Sequence, residues 1–205
     1  MTNYPDARQY APATERNREP ILEVLQAVLP PNGTILEVAS GTGEHAVYFA
    51  PRLAPRKWLP SDPNPIALAS IAAWRQYCPS DNLYSPIALD VCDSSWAVET
   101  DIVAIANINM IHIAPWAAYL GLIAGAKRLL PPGGILYLYG PFKQGDKHTA
   151  PSNATFDASL RSQNPQWGIR NLDEVVTVAQ SASFSLMKTV AMPANNYSIV
   201  LRKSS

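Results

Sequence analysis

Cysteine is nearly missing from this chain of 205 residues: Cys78 and Cys92 are the only two, in no metal-type pairing. A disulfide framework and a cysteine-based zinc cluster are both excluded, no metal site is expected, and the compartment implied is the reducing cytoplasm. Charge bias is missing as well. Sixteen basic and sixteen acidic residues leave no net charge, and no basic run is longer than Arg202-Lys203. That balance suits neither nucleic acid nor an anionic membrane, both of which are recognised through clustered Lys and Arg. The N-terminal MTNYPDARQY has no apolar signal region. One stretch, Ile102 to Ala126, carries no Asp, Glu, Lys or Arg, yet Asn107, Asn109, His112 and Pro115 interrupt it. It reads as a buried strand, a loop and a packed helix rather than a membrane span. Internal repeats and low-complexity tracts are absent.

What is present suits a single α/β domain over residues 1–205, long enough to bury a proper core, as a monomer or a homodimer. Its most informative stretch is TILEVASGTGEHAVYFA, Thr34 to Ala50. Ile35, Leu36 and Val38 have the content of a buried parallel strand, and Ala46, Val47, Phe49 and Ala50 recur at helical spacing. Between them lie Ala39, Ser40, Gly41, Thr42 and Gly43. Glycines there turn the backbone tightly, admit a ligand without a Cβ in the way, and leave the N–H groups of a helix start free to bind it. Gly41, Gly43 and Ala46 also satisfy the relaxed dinucleotide fingerprint, so the turn alone does not choose between NAD and another nucleotide-like ligand.

Along the chain, the first dozen residues read as an arm that folds over something or frays, followed by an amphipathic helix to Leu29, with its regular part from Arg18 because Pro20 falls in its first half. Residues 1–30 thus form an arm and helix, 34–140 a ligand-binding core, and 141–205 C-terminal helices and a strand pair. Strands are expected at Lys57–Ser61, Ile87–Leu89, Asp101–Ala106 and Ile135–Tyr139, with helices at Ile66–Tyr77 and Pro115–Leu130. Residues 140–170 read as loop-rich with one helix near Phe156–Arg161. Asn171 is an N-cap for a helix through Gln180, and Leu186–Met192 and Tyr197–Leu201 make a final pair joined by Pro193-Ala194-Asn195-Asn196. The alternation implies an α/β fold: a Rossmann-like, doubly wound, seven-stranded sheet, mostly parallel with an antiparallel C-terminal strand.

Such a sheet takes ligands beyond the carboxyl ends of its strands, where strand order switches direction. Six polar or glycine clusters fall on that rim: Ala39 to Gly43, Asp62, Asp90 with Val91, Asn107 to His112, Tyr139 to Phe142, and Met192 to Asn196. Asp62, nineteen residues beyond Gly43, is positioned for the hydroxyls of a ribose, with helix capping as the plain alternative. Asp90 and Val91 would meet the next part of a nucleoside, the adenine. Asn107, Asn109 and His112 crowd the exit of strand four, and buried amides and imidazoles need partners. His112 is the candidate general base, with an ordinary pKa near neutrality, or else a packing histidine. Trp116, Tyr139 and Phe142, with Tyr10 and Trp167, offer aromatic walls. Arg16 and Asn17 can reach a carboxylate, and Asn195 and Asn196 can overhang the substrate from a rim turn.

LEVASGTGEHA, the acid of SDPNP, the LDV after strand three and LLPPGGILYLYGPF around strand five together resemble a class I S-adenosylmethionine-dependent methyltransferase over nearly the whole chain. APATERNREPILEVL, ASGTGEHAVYFA, NINMIHIAPW, LPPGGILYLYGPFK, WGIRNLDEV and MPANN resemble, more narrowly, the uncharacterised methyltransferase-like protein 26 family, a resemblance that brings no substrate. It implies S-adenosyl-L-methionine as cofactor, its methionine end on the Ala39 to Gly43 backbone, its ribose on Asp62 and its adenine at Asp90 and Val91. Glu37 resembles the acid such enzymes carry in strand one, ordering the glycine loop, reaching the amino group through water, or forming a structural salt bridge. Amino-methylating enzymes of nucleic acids resemble one another in an Asn/Asp-Pro-Pro-aromatic run after strand four. This chain has Asn107-Ile108-Asn109-Met110 there, so the acceptor expected is a small molecule. The alternatives are an NAD-dependent oxidoreductase and a cofactor-binding protein without turnover.

Overall fold

The computed structural model describes residues 6–205, so the first residues of the expected arm lie outside it. The first helix, α1 (Pro12–Val28), begins earlier than the sequence pattern suggests and runs straight through Pro20. An interior proline removes one helical hydrogen bond and costs about 3 kcal/mol. Ile21, Leu25 and Val28, all buried on one face, return about 1.5 to 3 kcal/mol each on leaving water, which is enough to hold the helix through the defect. Pro12 itself sits in the first turn, where its missing N–H has no intrahelical partner to lose.

Strands β1 (Thr34–Val38), β2 (Lys57–Asp62), β3 (Ile87–Ala88), β4 (Ile102–Ile108) and β5 (Ile135–Gly140) alternate with helices α2 (Glu44–Arg52), α3 (Pro65–Tyr77) and α4 (Trp116–Leu129). A second, three-stranded sheet is made by β6 (Phe142–Gln144), β7 (Lys147–His148) and β8 (Arg170–Asn171), with α5 (Pro151–Gln163) between the last two. The region from 140 to 170 is therefore not loop-rich, and its helix begins at Pro151 rather than near Phe156. Helix α6 (Leu172–Ser181), capped by the Asn171 side chain at 2.8 Å from the Asp173 amide, leads to β9 (Phe184–Met192) and β10 (Asn196–Lys203).

The large sheet has the order β3-β2-β1-β4-β5-β10-β9. Strands β1 to β5 pair in parallel, and β10 pairs antiparallel with both β5 and β9. This is the seven-stranded, mostly parallel sheet expected, with β10 as the one reversed strand. Every residue of β1 is buried, as a central parallel strand covered on both faces requires. The two faces are filled separately. Ile135, Tyr137 and Tyr139 of β5 point into the core formed with α1 and α2, around Ile21, Leu25, Phe49 and Trp58. Leu136 and Leu138 point the other way, into the core beneath α4 and α6, around Tyr119, Leu122 and Val175. Strand order reverses between β1 and β4, where Val38 is paired with Asn107. Among the described residues no helix is long and apolar enough to cross a membrane.

Candidate functional site at the strand ends

Beyond β1 the chain turns through left-handed conformations at Ala39, Gly41 and Gly43, with φ of 57°, 57° and 90°. The two glycines are required for different reasons. A Cβ on Gly43 would stand 2.8 Å from the Ile71 backbone of α3, so the turn is seated against that helix. A Cβ on Gly41 would meet nothing within 4 Å, so Gly41 faces open space where a ligand can approach.

Two small hydroxyls lock the turn to β2. Ser40 N–H donates to the Ser61 carbonyl (2.8 Å) and Ser61 N–H donates to Ser40 Oγ (3.1 Å). Ser61 Oγ in turn donates to the Glu37 carbonyl at 2.8 Å. Ser61 is fully buried, and sequence reasoning passed over it. The available signal was a small hydroxyl at a core position of a strand, one residue before the key acid.

Asp62 closes the arrangement. The Gly41 amide donates to one carboxylate oxygen at 3.0 Å and the Asn64 amide to the other at 2.9 Å. The capping of α3 falls instead to Asn64, whose side chain accepts from the Ile66 amide. Each oxygen of Asp62 keeps a further lone pair for an outside donor, as two vicinal hydroxyls would require. Asp90 stands exposed beyond β3, accepting the Cys92 amide at 2.9 Å, with Val91 buried beside it under α4.

Glu37 has no basic partner among the described residues, so the salt-bridge reading is corrected. Its carboxylate takes the Trp58 indole N–H at 3.0 Å, and burial, with a smaller push from Asp62, lifts its pKa to about 7 against the pull of that bond.

The β4 exit differs from the pattern expected. Asn107 lies inside the strand rather than beyond it, buried, with its amide on the Val38 carbonyl at 3.0 Å, where it ties β4 to the end of β1. Asn109 is the first residue off the strand. It is left-handed (φ 64°), half-buried, and held by its own amide to the Tyr139 carbonyl.

His112 is corrected more sharply. It is 0 % exposed, edge-on to Phe142, and burial drops its pKa to about 3. Its Nδ1 accepts the Arg170 amide at 3.3 Å, so the lone pair that a base needs is already in use. Nε2 then carries the proton and is packed so tightly against Gly140 that a Cβ there would fall 2.4 Å from it. As folded, no substrate reaches this imidazole.

Tyr139 and Phe142 are buried, on opposite faces of the sheet, so neither forms an open wall. Asn17 is also buried, accepting from His45 Nε2 at 2.8 Å and facing the Tyr139 hydroxyl. Burial lowers His45 to about 4, so the ring is neutral. This polar cluster joins α1, α2 and β5, and sequence reasoning missed its histidine. Arg16 is exposed. Trp116 is half-buried against Tyr119, with the Arg170 guanidinium over its ring at 5.5 Å. Asn195 and Asn196 do stand on the rim, because Tyr197 pairs with Gly140 at the end of β5. Tyr10 is exposed and lies edge-on to Trp74 of α3, so it forms no closed wall.

The structure is similar to solved methyltransferases at low sequence identity. It matches the apo form of the S-adenosylmethionine-dependent methyltransferase SibL with a TM-score of 0.77 and 17% identity, over 94% of this chain and 56% of that one. An O-methyltransferase family protein from Burkholderia thailandensis gives 0.77 and 16% over 94% and 58%. Human N-acetylserotonin methyltransferase in complex with S-adenosylmethionine gives 0.76 and 16% over 94% and 53%. The chain spans a little over half the length of these proteins, and at such identities the likeness establishes the fold. Residues 8–203 match a family described as a protein of unknown function, DUF938, and the chain belongs to that family.

Proposed function

We propose that the protein is an S-adenosylmethionine-dependent methyltransferase acting on a small-molecule acceptor, a cytoplasmic relative of the methyltransferase-like protein 26 family. One observation carries this reading: the acid ending β2 is hydrogen-bonded to the glycine turn ending β1, at the switch point of a sheet shared with known methyltransferases. Asp62 accepts the two ribose hydroxyls with the lone pairs its backbone partners leave free. The turn from Ala39 to Gly43 cradles the methionine end, Gly41 giving the close approach. Glu37 orders the turn from beneath, and Asp90 and Val91 flank the adenine. The fit rests on the space beside Gly41 and the spare acceptor capacity of Asp62.

When bound, S-adenosylmethionine supplies a methyl already activated on a sulfonium. The protein's share is orientation, closeness and exclusion of water. Asn107 positions the end of β1 through the Val38 carbonyl. Asn109, with Trp116 and the turn at Asn195 and Asn196, shapes the acceptor side, and the exposed Arg16 can swing toward an anionic group. His112 serves packing there rather than base chemistry. The even charge balance supports the absence of a nucleic-acid partner. Incubating the purified protein with methyl-labelled S-adenosylmethionine and the small-molecule fraction of a cell extract tests the reading. Label should move into a low-mass product, and label found only in nucleic acid or protein would overturn the choice of acceptor.

A further inference from the structure

The N-terminal arm is fastened to the back of the glycine turn. The Gln9 amide donates to Ser70 Oγ of α3 at 2.8 Å, and that hydroxyl donates onward to the Thr42 carbonyl at 2.7 Å. The Ala11 amide donates to Glu44 Oε2, which also accepts the Thr42 hydroxyl at 3.0 Å. Thr42 is thus gripped through backbone and side chain by two groups, and each also holds a backbone N–H of the arm. Ser70 is 0 % exposed, so its hydroxyl has no water to turn to. The Trp74 indole N–H donates to the Gln9 carbonyl at 2.9 Å, and the Arg8 guanidinium covers Tyr77 at 3.7 Å, which keeps the arm flat on α3.

We propose that Ser70 and Glu44 are positioning residues of the cofactor site, and that residues 9–11 belong to that site as its outer strap. The inference rests on the cofactor reading above. Thr42 lies between Gly41 and Gly43, and a turn with two left-handed glycines has many backbone alternatives unless held. Docking the arm selects the one in which the Gly41 amide meets Asp62. Linkage then runs both ways: a ligand that needs the ordered turn must also hold the arm down.

The test is amide exchange and calorimetry on the full chain with S-adenosylhomocysteine as probe. Saturating ligand should slow exchange at the Gln9 and Ala11 amides. Ser70→Ala and Glu44→Ala should each weaken binding about tenfold, the loss expected for a group that bridges two partners. Glu44→Gln, which keeps an acceptor oxygen, should restore most of it. Ligand-independent exchange at Gln9 and Ala11, or binding by Ser70→Ala within about twofold of the parent, would overturn the strap. If the parent protein itself fails to bind the probe, the cofactor reading falls instead. A variant that only unfolds more easily, with unchanged affinity, counts against the proposal.

Discussion

The rim beyond β1 and β2 is held mainly by backbone amides and small hydroxyls, whereas the rim beyond β4 and β5 is held mainly by charged side chains. In the first region Gly41, Ser40 and Asn64 satisfy Asp62 and Ser61 directly. In the second, Asp157 of α5 gathers Lys143 at 3.3 Å, His148 at 3.4 Å and Arg161 at 3.3 Å, and accepts the Ile169 amide at 2.6 Å. Arg170 reaches the carbonyls of Ile111 and Ala114. The turn relies on neutral donors arranged around the single carboxylate of Asp62. The cap instead depends on ion pairs to Asp157 and on guanidinium bonds to carbonyls. The two regions should therefore fail independently.

The largest expected effect breaks the cap alone. Asp157→Ala strands the Lys143 and Arg161 cations, the His148 ring and the Ile169 amide. Because Lys143, His148 and Arg161 are partly exposed, the loss should be about 2 to 3 kcal/mol, below that of a fully buried pair. Urea unfolding measures it, and affinity for S-adenosylhomocysteine should stay within about twofold. A parallel loss of cofactor affinity would show that the regions are not separate.

The next breaks the turn. Gly43→Ala meets the Ile71 backbone in a left-handed conformation and should cost about 2 kcal/mol or more, with binding lost. Gly41→Ala, with open space around it, should cost only about 1 kcal/mol in stability. Equal costs would mean that the seat on α3 is not what demands glycine. Asp62→Ala should weaken S-adenosylhomocysteine by about 1 to 3 kcal/mol, read by titration. Unchanged affinity would remove Asp62 from the ribose.

A further effect is in pH. Glu37, raised from 4.5 to about 7, binds a proton more readily in the fold, so its contribution lowers stability as pH rises through that window. His45 and His112, lowered from 6.5 to about 4 and about 3, act oppositely, and their contribution is lost as pH falls below 6.5. Where the windows overlap, the effects partly cancel. Glu37→Gln should therefore steepen the loss of stability between pH 6.5 and 4.5 and leave the protein more stable at pH 7.5 than the parent, relative to acid. An unchanged profile would mean that Glu37 is ionised in the fold.

The same contrast explains what was legible in the sequence. The β1 strand, its glycine turn and Asp62 are coded within a short stretch, by glycines at left-handed positions and by an acid at a set distance. The α6 cap at Asn171 and the rim turn at Asn195 and Asn196 are likewise local. The second sheet escaped because β6, β7 and β8 are two or three residues each and acquire meaning only when Lys143 meets His148 and Phe142 meets Arg170. His112 was misread because its neighbours, Phe142, Gly168 and Arg170, come from the cap, and burial rather than residue type decides its chemistry. Pro20 misled on the start of α1 because propensity was weighed without the buried face that overrides it.

The central claim, that the turn and Asp62 together hold S-adenosylmethionine, is tested most directly by calorimetric titration of the protein with S-adenosylmethionine, S-adenosylhomocysteine and NAD. Saturable binding of the first two and none of NAD is expected; binding of NAD alone would contradict the assignment.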